Sequence, residues 1–196
     1  EANAQRQNAM ILLTWRTNAY TPPAYRGATL PAAGALLEVA VELIENGKVA
    51  DLSGKEIRWF VNNELKKSGA GMKLFSFTAG LTKKNVEAVR VLIIDEGESL
   101  DLERGVVIPL GRPEIIIEAP YPRTALPKGN LSFRAVPYFF NIADLTHFVL
   151  TWSANGERVT GGGDLNQITL DTSAAESGGR LTLEARGVNT KNEFEF

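Results

Sequence analysis

Along most of the chain apolar and polar residues alternate, or apolar residues come in short runs rich in Val, Ile, Leu and Phe, broken every 8–15 residues by Gly, Asn, Asp or Pro. Period-2 alternation puts one set of side chains on a single face of an extended strand, so the pattern predicts antiparallel β structure. In the first half strands are expected at 10–16 (MILLTWR), 36–44 (LLEVAVELI), 55–61 (KEIRWFV), 72–78 (MKLFSFT), 86–94 (VEAVRVLII) and 103–110 (ERGVVIPL). In the second half they are expected at 114–119 (EIIIEA), 130–140 (NLSFRAVPYFF), 147–153 (HFVLTWS), 165–171 (LNQITLD), 180–186 (RLTLEAR) and 192–196 (NEFEF). Each half thus carries the strand complement of a β-sandwich. Helix formers compete at 81–94, but Val89, Val91 and Ile93 alternate with Arg90 and Leu92, and β-branched residues dominate, so a strand is expected there too. Asn46-Gly47 and Asn155-Gly156 predict tight turns, because both residue types tolerate positive φ.

The two halves echo each other. At a constant offset of 93, Trp59 matches Trp152, Asn62 matches Asn155, Glu64 matches Glu157, Met72 matches Leu165, and Phe75 and Phe77 match Ile168 and Leu170. Upstream, "LPAAGALLEV" at 30–39 resembles "LPKGNLSF" at 126–133; downstream, Val89 and Val91 align with Leu181 and Leu183. A period of this length fits one sandwich domain and is too long for a solenoid repeat, so a duplicated domain is expected. The boundary falls at "PLGRP", 109–113, giving a first domain 1–111 with an N-terminal extension 1–9 and a second domain 112–196. A connection of about three residues has little freedom, which predicts a rod-like pair. In each copy the Trp is expected on a central third strand, facing the core.

Composition changes the picture mainly by exclusion. The 196 residues suit two domains, and 44 % hydrophobic with 22 % charged residues is ordinary for a globular chain. With 21 basic and 23 acidic residues interspersed, net charge −2, no basic stripe is present to neutralise phosphates, which argues against a nucleic-acid partner. The chain has no cysteine, so disulfides, thiolate metal sites and cysteine nucleophiles are out of reach. No apolar stretch approaches the roughly 20 residues of a membrane-spanning helix. The opening on Glu1 suggests an upstream segment removed by processing or by design; the Ala2-Asn3-Ala4 triplet has signal-peptidase form but no apolar run before it, which makes it a weak signal, and the stop at "NEFEF" in mid-alternation suggests a chain that continues or was trimmed.

Candidate chemistry is sparse. The single histidine, His147, is expected as an exposed residue opening a strand, without the partners of a triad or a zinc site. "GGGDLN" at 161–166 lacks the Lys-Ser/Thr of a phosphate-binding loop and reads as a turn. Asn130-Leu131-Ser132 matches a glycosylation sequon, a signal of very low specificity. Asp95, Glu96, Glu98, Asp101 and Glu103 form either a solvated hairpin loop or, with enough oxygens, a calcium site that stiffens a spacer. No catalytic residue, cofactor site or metal site is assigned. Two segments suit contact instead. Tyr20 and Tyr25 flank the extended Pro22-Pro23, and in "VPYFFN" Tyr138 and Phe140 lie on the face opposite Phe133 and Phe139, so that strand end is apolar on both sides. Either neighbouring loops cover it or Tyr138 and Phe140 belong to an interface.

"YTPPAYRGATLP" followed by "IRWFVNN", and "VPYFF" followed by "LTWSANGERV" and "LTLEARGVN", resemble prokaryotic surface proteins with tandem immunoglobulin-like or PKD-like domains, and more narrowly an uncharacterised paired-domain family of bacterial envelope proteins. The resemblance implies an all-β chain of two tandem immunoglobulin-like antiparallel sandwiches joined by a short linker, and an exported, extracellular or envelope location. It maps the family's third-strand Trp onto Trp59 and Trp152 and brings no catalytic or ligand-binding residue. Asn62-Asn63 departs from the family's Asn-Gly, which leaves the turn type there open. The expected function is a non-catalytic structural or adhesive module acting through a protein partner or self-association. A carbohydrate-binding module is the alternative, and would need Tyr20, Tyr25, Tyr121 or Tyr138 exposed in a common plane.

Overall fold

The structure, a computed structural model, describes residues 9–94, 101–122, 125–160 and 166–190. The expected strand at 192–196, most of the glycine-rich turn at 161–166 and Asp95, Glu96 and Glu98 lie outside those residues. The chain divides into two compact units: Glu1–Asn18 with Ala33–Gly111, and Ala19–Ala32 with Arg112–Phe196. Sequence proximity had left 19–32 with the first half, whereas here the chain leaves the first unit after Asn18 and returns at Ala33.

The first unit contains β1 (Ala9–Thr17), β2 (Leu36–Glu45), β3 (Lys48–Val49), β4 (Glu56–Val61), β5 (Glu64–Ala70), β6 (Leu74–Thr78), β7 (Val86–Ile94) and β8 (Leu102–Pro109). One sheet joins β1, β2 and β3, with β6 on the other side of β2, and the second runs β5-β4-β7-β8. All pairings are antiparallel. Alternation decides what is buried: Leu37, Val39, Val41 and Leu43 of β2 face Ile57, Trp59, Val91 and Ile93 of β4 and β7 in one core. Trp59 is fully buried, stacks on Phe75 at 5.6 Å, and donates its indole N–H to the Met72 carbonyl at 2.9 Å.

The second unit contains β9 (Glu114–Glu118), β10 (Asn130–Tyr138), β11 (Phe148–Ala154), β12 (Glu157–Val159), β13 (Gln167–Asp171) and β14 (Leu183–Asn189). Its sheets run β13-β10-β9 and β12-β11-β14, again antiparallel. Leu131, Phe133, Ala135, Trp152 and Ile168 form the core between them. Trp152 is buried like Trp59, but its indole N–H meets no acceptor among the described residues. No α-helix occurs among the described residues, and none of their helical segments is long and apolar enough to cross a membrane.

The Trp-x-x-Asn element has the same geometry in both units. Asn62-Asn63 and Asn155-Gly156 both carry positive φ (50° and 70°; 51° and 86°), as a type I′ hairpin turn requires, so Asn-Asn makes the turn that Asn-Gly makes. Each first asparagine also clips its hairpin to the neighbouring strand. The Asn62 N–H donates to the Ala88 carbonyl at 2.8 Å while its side-chain oxygen accepts the Ala88 N–H at 3.1 Å. Asn155 does the same to Thr182, at 2.8 Å in both directions. Asn155→Ala loses the side-chain half of the clip and the tolerance of positive φ, so urea unfolding followed by Trp152 fluorescence is expected to report a loss of about 1–2 kcal/mol, with Asn155→Gly losing less.

That correspondence moves one expected alignment. Trp59 pairs with Val91 and Trp152 with Ala185, so Val89 and Val91 correspond to Leu183 and Ala185 rather than to Leu181 and Leu183. In the first unit the clip extends into a buried carboxylate. Glu87, 2 % exposed, accepts 2.6 Å hydrogen bonds from the Asn62 amide and the Gly80 N–H. Glu87→Ala would strand both donors, and the expected cost is roughly 2–4 kcal/mol by chemical denaturation, with Glu87→Gln less harmful because it keeps one acceptor.

Candidate functional site

Tyr20, Tyr25, Tyr138 and Phe140, singled out by the sequence, all belong to the second unit and meet in one place. β10 ends at Tyr138, and the next residue, Phe139, adopts φ 63°, a left-handed conformation that costs a bulky side chain energy and that neighbours must hold. The holding contacts come from residues 19–32. The Phe139 N–H donates to the Tyr20 carbonyl and the Tyr20 N–H donates to the Phe140 carbonyl, both at 2.7 Å. Tyr25, turned back by its own N–H to the Pro22 carbonyl at 2.9 Å, sets its ring edge-on to Tyr138 (5.7 Å, 73°) and Phe139 (5.9 Å, 82°). Beneath, Phe140, Ile142 and Phe148 form a small core against which Tyr20 packs. Phe140 meets Phe148 edge to face at 4.7 Å, and the Asn189 amide ties the end of β14 to the Asn141 carbonyl at 3.2 Å.

This arrangement corrects the expected interface at Phe140, which is 4 % exposed: residues 19–32 of the same chain cover that strand end. Tyr20, Tyr25 and Tyr138 stay half-exposed at the rim. Nor do Tyr25 and Tyr138 form a flat platform for a sugar. Tyr25 and Tyr138 are nearly perpendicular, and Tyr121 stands at 63° to Phe133 with its hydroxyl accepting the Ser132 N–H at 2.9 Å. His147 closes a 3-10 turn, Leu145–His147, capped by the Asp144 carboxylate, rather than opening β11; it is exposed. Of the acidic group, Glu103 is bound to Arg90 at 2.9 Å and Asp101 is exposed. Among the described residues no three His, Asp or Glu side chains converge as metal ligands would.

Carboxyls held below their ordinary range sit in exposed positions elsewhere. Asp51 is lowered by the Ser53 N–H and then the Ser53 hydroxyl, Asp171 by the Ser173 hydroxyl and then its N–H, and Glu64 by Lys66. These are the electrostatics of turns and strand ends, far from the setting of a reactive group in a cleft. Sequence reasoning did not find Phe139 as the strained hinge of the cluster. The signal available was three successive aromatics directly after Pro137.

In both units the first, second and fifth principal strands make one sheet, and the fourth joins the third and sixth in the other. The chain is therefore all-β, and its units are antiparallel sandwiches of the immunoglobulin and fibronectin III class. No family model and no curated protein matches the chain. Among solved structures, the fibronectin(III)-like modules of Clostridium thermocellum CbhA match at 10 % identity over 92 % of this chain and 87 % of that one, with a TM-score of 0.34. So distant a likeness transfers no property, and the strand order by itself defines the class.

Proposed function

We propose that the chain is a non-catalytic structural or adhesive module of a bacterial cell surface or surface appendage, exported to the outside of the cell and acting through protein–protein contacts. The observation that supports this reading is the sandwich built twice around equivalent tryptophans and equivalent asparagine clips, as duplication of a scaffold would leave it. The aromatic residues that could have served a ligand are instead spent on holding residues 19–32 to the second unit. Antibody labelling of intact cells of the source organism should detect the protein at the surface, and a hydrolase screen and a glycan array should both stay silent. Confinement to the cytoplasmic fraction, substrate turnover or specific glycan binding would each overturn the reading.

A further inference from the structure

We infer that the open edge of β1 is a self-association surface, on which β1 of a second copy pairs antiparallel about Leu13. The inference rests on the proposed function only in taking protein contacts as the module's task. A sheet edge presents unpaired main-chain donors and acceptors, and proteins normally blunt it with charge, proline, a bulge or shortness. The other long edges here are blunted: β5 carries Lys66 and Lys67 and faces a register shift at Trp59/Phe60, and β8 carries Glu103, Arg104 and Pro109. The remaining edge strands, β3, β6, β9, β12 and β13, have five residues or fewer, and β14 carries Glu184 and Arg186. β1 is different. Its nine residues, AMILLTWRT, include no Gly, Pro, Lys, Asp or Glu, and no strand among the described residues hydrogen-bonds to its other side, although β8 of the facing sheet packs close to it.

Two further observations name the occupant. On β2 the core-facing Leu37, Val39, Val41 and Leu43 are at most 1 % exposed, yet Ile11, Leu13 and Trp15, which face the same core from β1, stay half-buried. On the outer face Met10 and Leu12 are 55 % and 40 % exposed. An added strand would shield the open flank of both rows of side chains. The sequence of β1 is also self-complementary: antiparallel pairing about Leu13 sets Ile11 against Trp15, Leu12 against Thr14 and Met10 against Arg16. The one charge, already bound to Glu38, then never meets its own copy. The product is an isologous dimer with a continuous sheet β6-β2-β1-β1-β2-β6.

Sedimentation velocity of the whole chain from about 1 to 500 μM, the range of a small transient interface, should show a dimer fraction that rises with concentration. Leu12→Lys/Thr14→Lys places like charges opposite each other across the joint, on outward positions that leave the core alone, and should weaken dimerisation at least tenfold with melting unchanged. Leu12→Glu/Thr14→Glu should weaken dimerisation likewise, with somewhat lower melting because Glu42 lies opposite position 12 on β2, and an equimolar mixture of the two variants should dimerise again. A wild-type chain that stays monomeric throughout overturns the inference while leaving surface labelling, and with it the proposed function, untouched. So do variants that dimerise like wild type, or well-folded variants whose mixture stays monomeric.

Discussion

Residues 112–196 produced without the rest of the chain are expected to collapse into an aggregation-prone state instead of folding to a sandwich. They contain the complete strand set of the second unit, but not residues 19–32, which belong to it. Without Tyr20 the main chain loses the two 2.7 Å hydrogen bonds that seat Phe139 and Phe140, and without Tyr25 the rings of Tyr138 and Phe139 face water. Two hydrogen bonds at about 1 kcal/mol each, with partial re-exposure of three aromatic rings, sum to roughly 3–5 kcal/mol. That is a large part of the 5–15 kcal/mol that typically holds a small domain. The strain at Phe139, φ 63°, then has nothing to hold it. Proton–nitrogen NMR should show poor dispersion for 112–196, and dispersion should return when a peptide of residues 17–33 is added. A well-dispersed spectrum for 112–196 alone, with the melting temperature of the full chain's second unit, would contradict the assignment of 19–32.

The two central tryptophans are expected to part company when replaced. Trp59→Ala empties the centre of the first core, and removal of a fully buried indole costs about 3–5 kcal/mol. Replacement by Phe is the discriminating experiment. Trp59→Phe deletes a donor that serves the Met72 carbonyl, so it loses a hydrogen bond as well as some volume, and about 2–3 kcal/mol is expected. Trp152→Phe deletes no hydrogen bond made among the described residues, so only the lost volume counts and a smaller cost, about 1–1.5 kcal/mol, is expected. Chemical denaturation resolves the two, because Trp152 is the one tryptophan of the second unit and Trp15 and Trp59 report on the first. Equal costs for the two Phe variants would show that the indole hydrogen bond has no energetic role.

Most of the fold was legible because one face of each principal strand is buried, and burial writes itself as period-2 alternation. The strands that periodicity missed are those with nothing to bury. ELKKSGA in β5 and ERV in β12 are polar hairpin returns, held by main-chain pairing to β4 and β11 and by the turns at Asn62 and Asn155. The slip that matched Val89 to Leu181 instead of Leu183 has a related cause: a shift of two residues keeps every side chain on its own face, so the hydrophobic pattern cannot see it, and only pairing to Trp59 and Trp152 does. The aromatic site was legible in its parts and not in its assembly. Tyr20, Tyr25, Tyr138 and Phe140 stand out as large apolar groups in poor positions for a strand core, but nothing local in either segment says that each is the other's cover. Phe139 escaped because positive φ in an aromatic residue has no sequence signature; the contacts of residues 19–32 impose it.

The path of residues 19–32 also sets a timetable for the ribosome. Residues 19–32 emerge about 100 residues before 137–142, a delay of roughly 5–20 s at ordinary elongation rates. During that interval β1 and β2 can already pair across a long unfilled loop, while Tyr20 and Tyr25 wait in solvent for strands not yet translated. Nascent chains halted near residue 115 should therefore be cut by protease within 19–32, and chains released at full length should resist. A segment translated early thus waits for residues 137–142 before it has a place to pack.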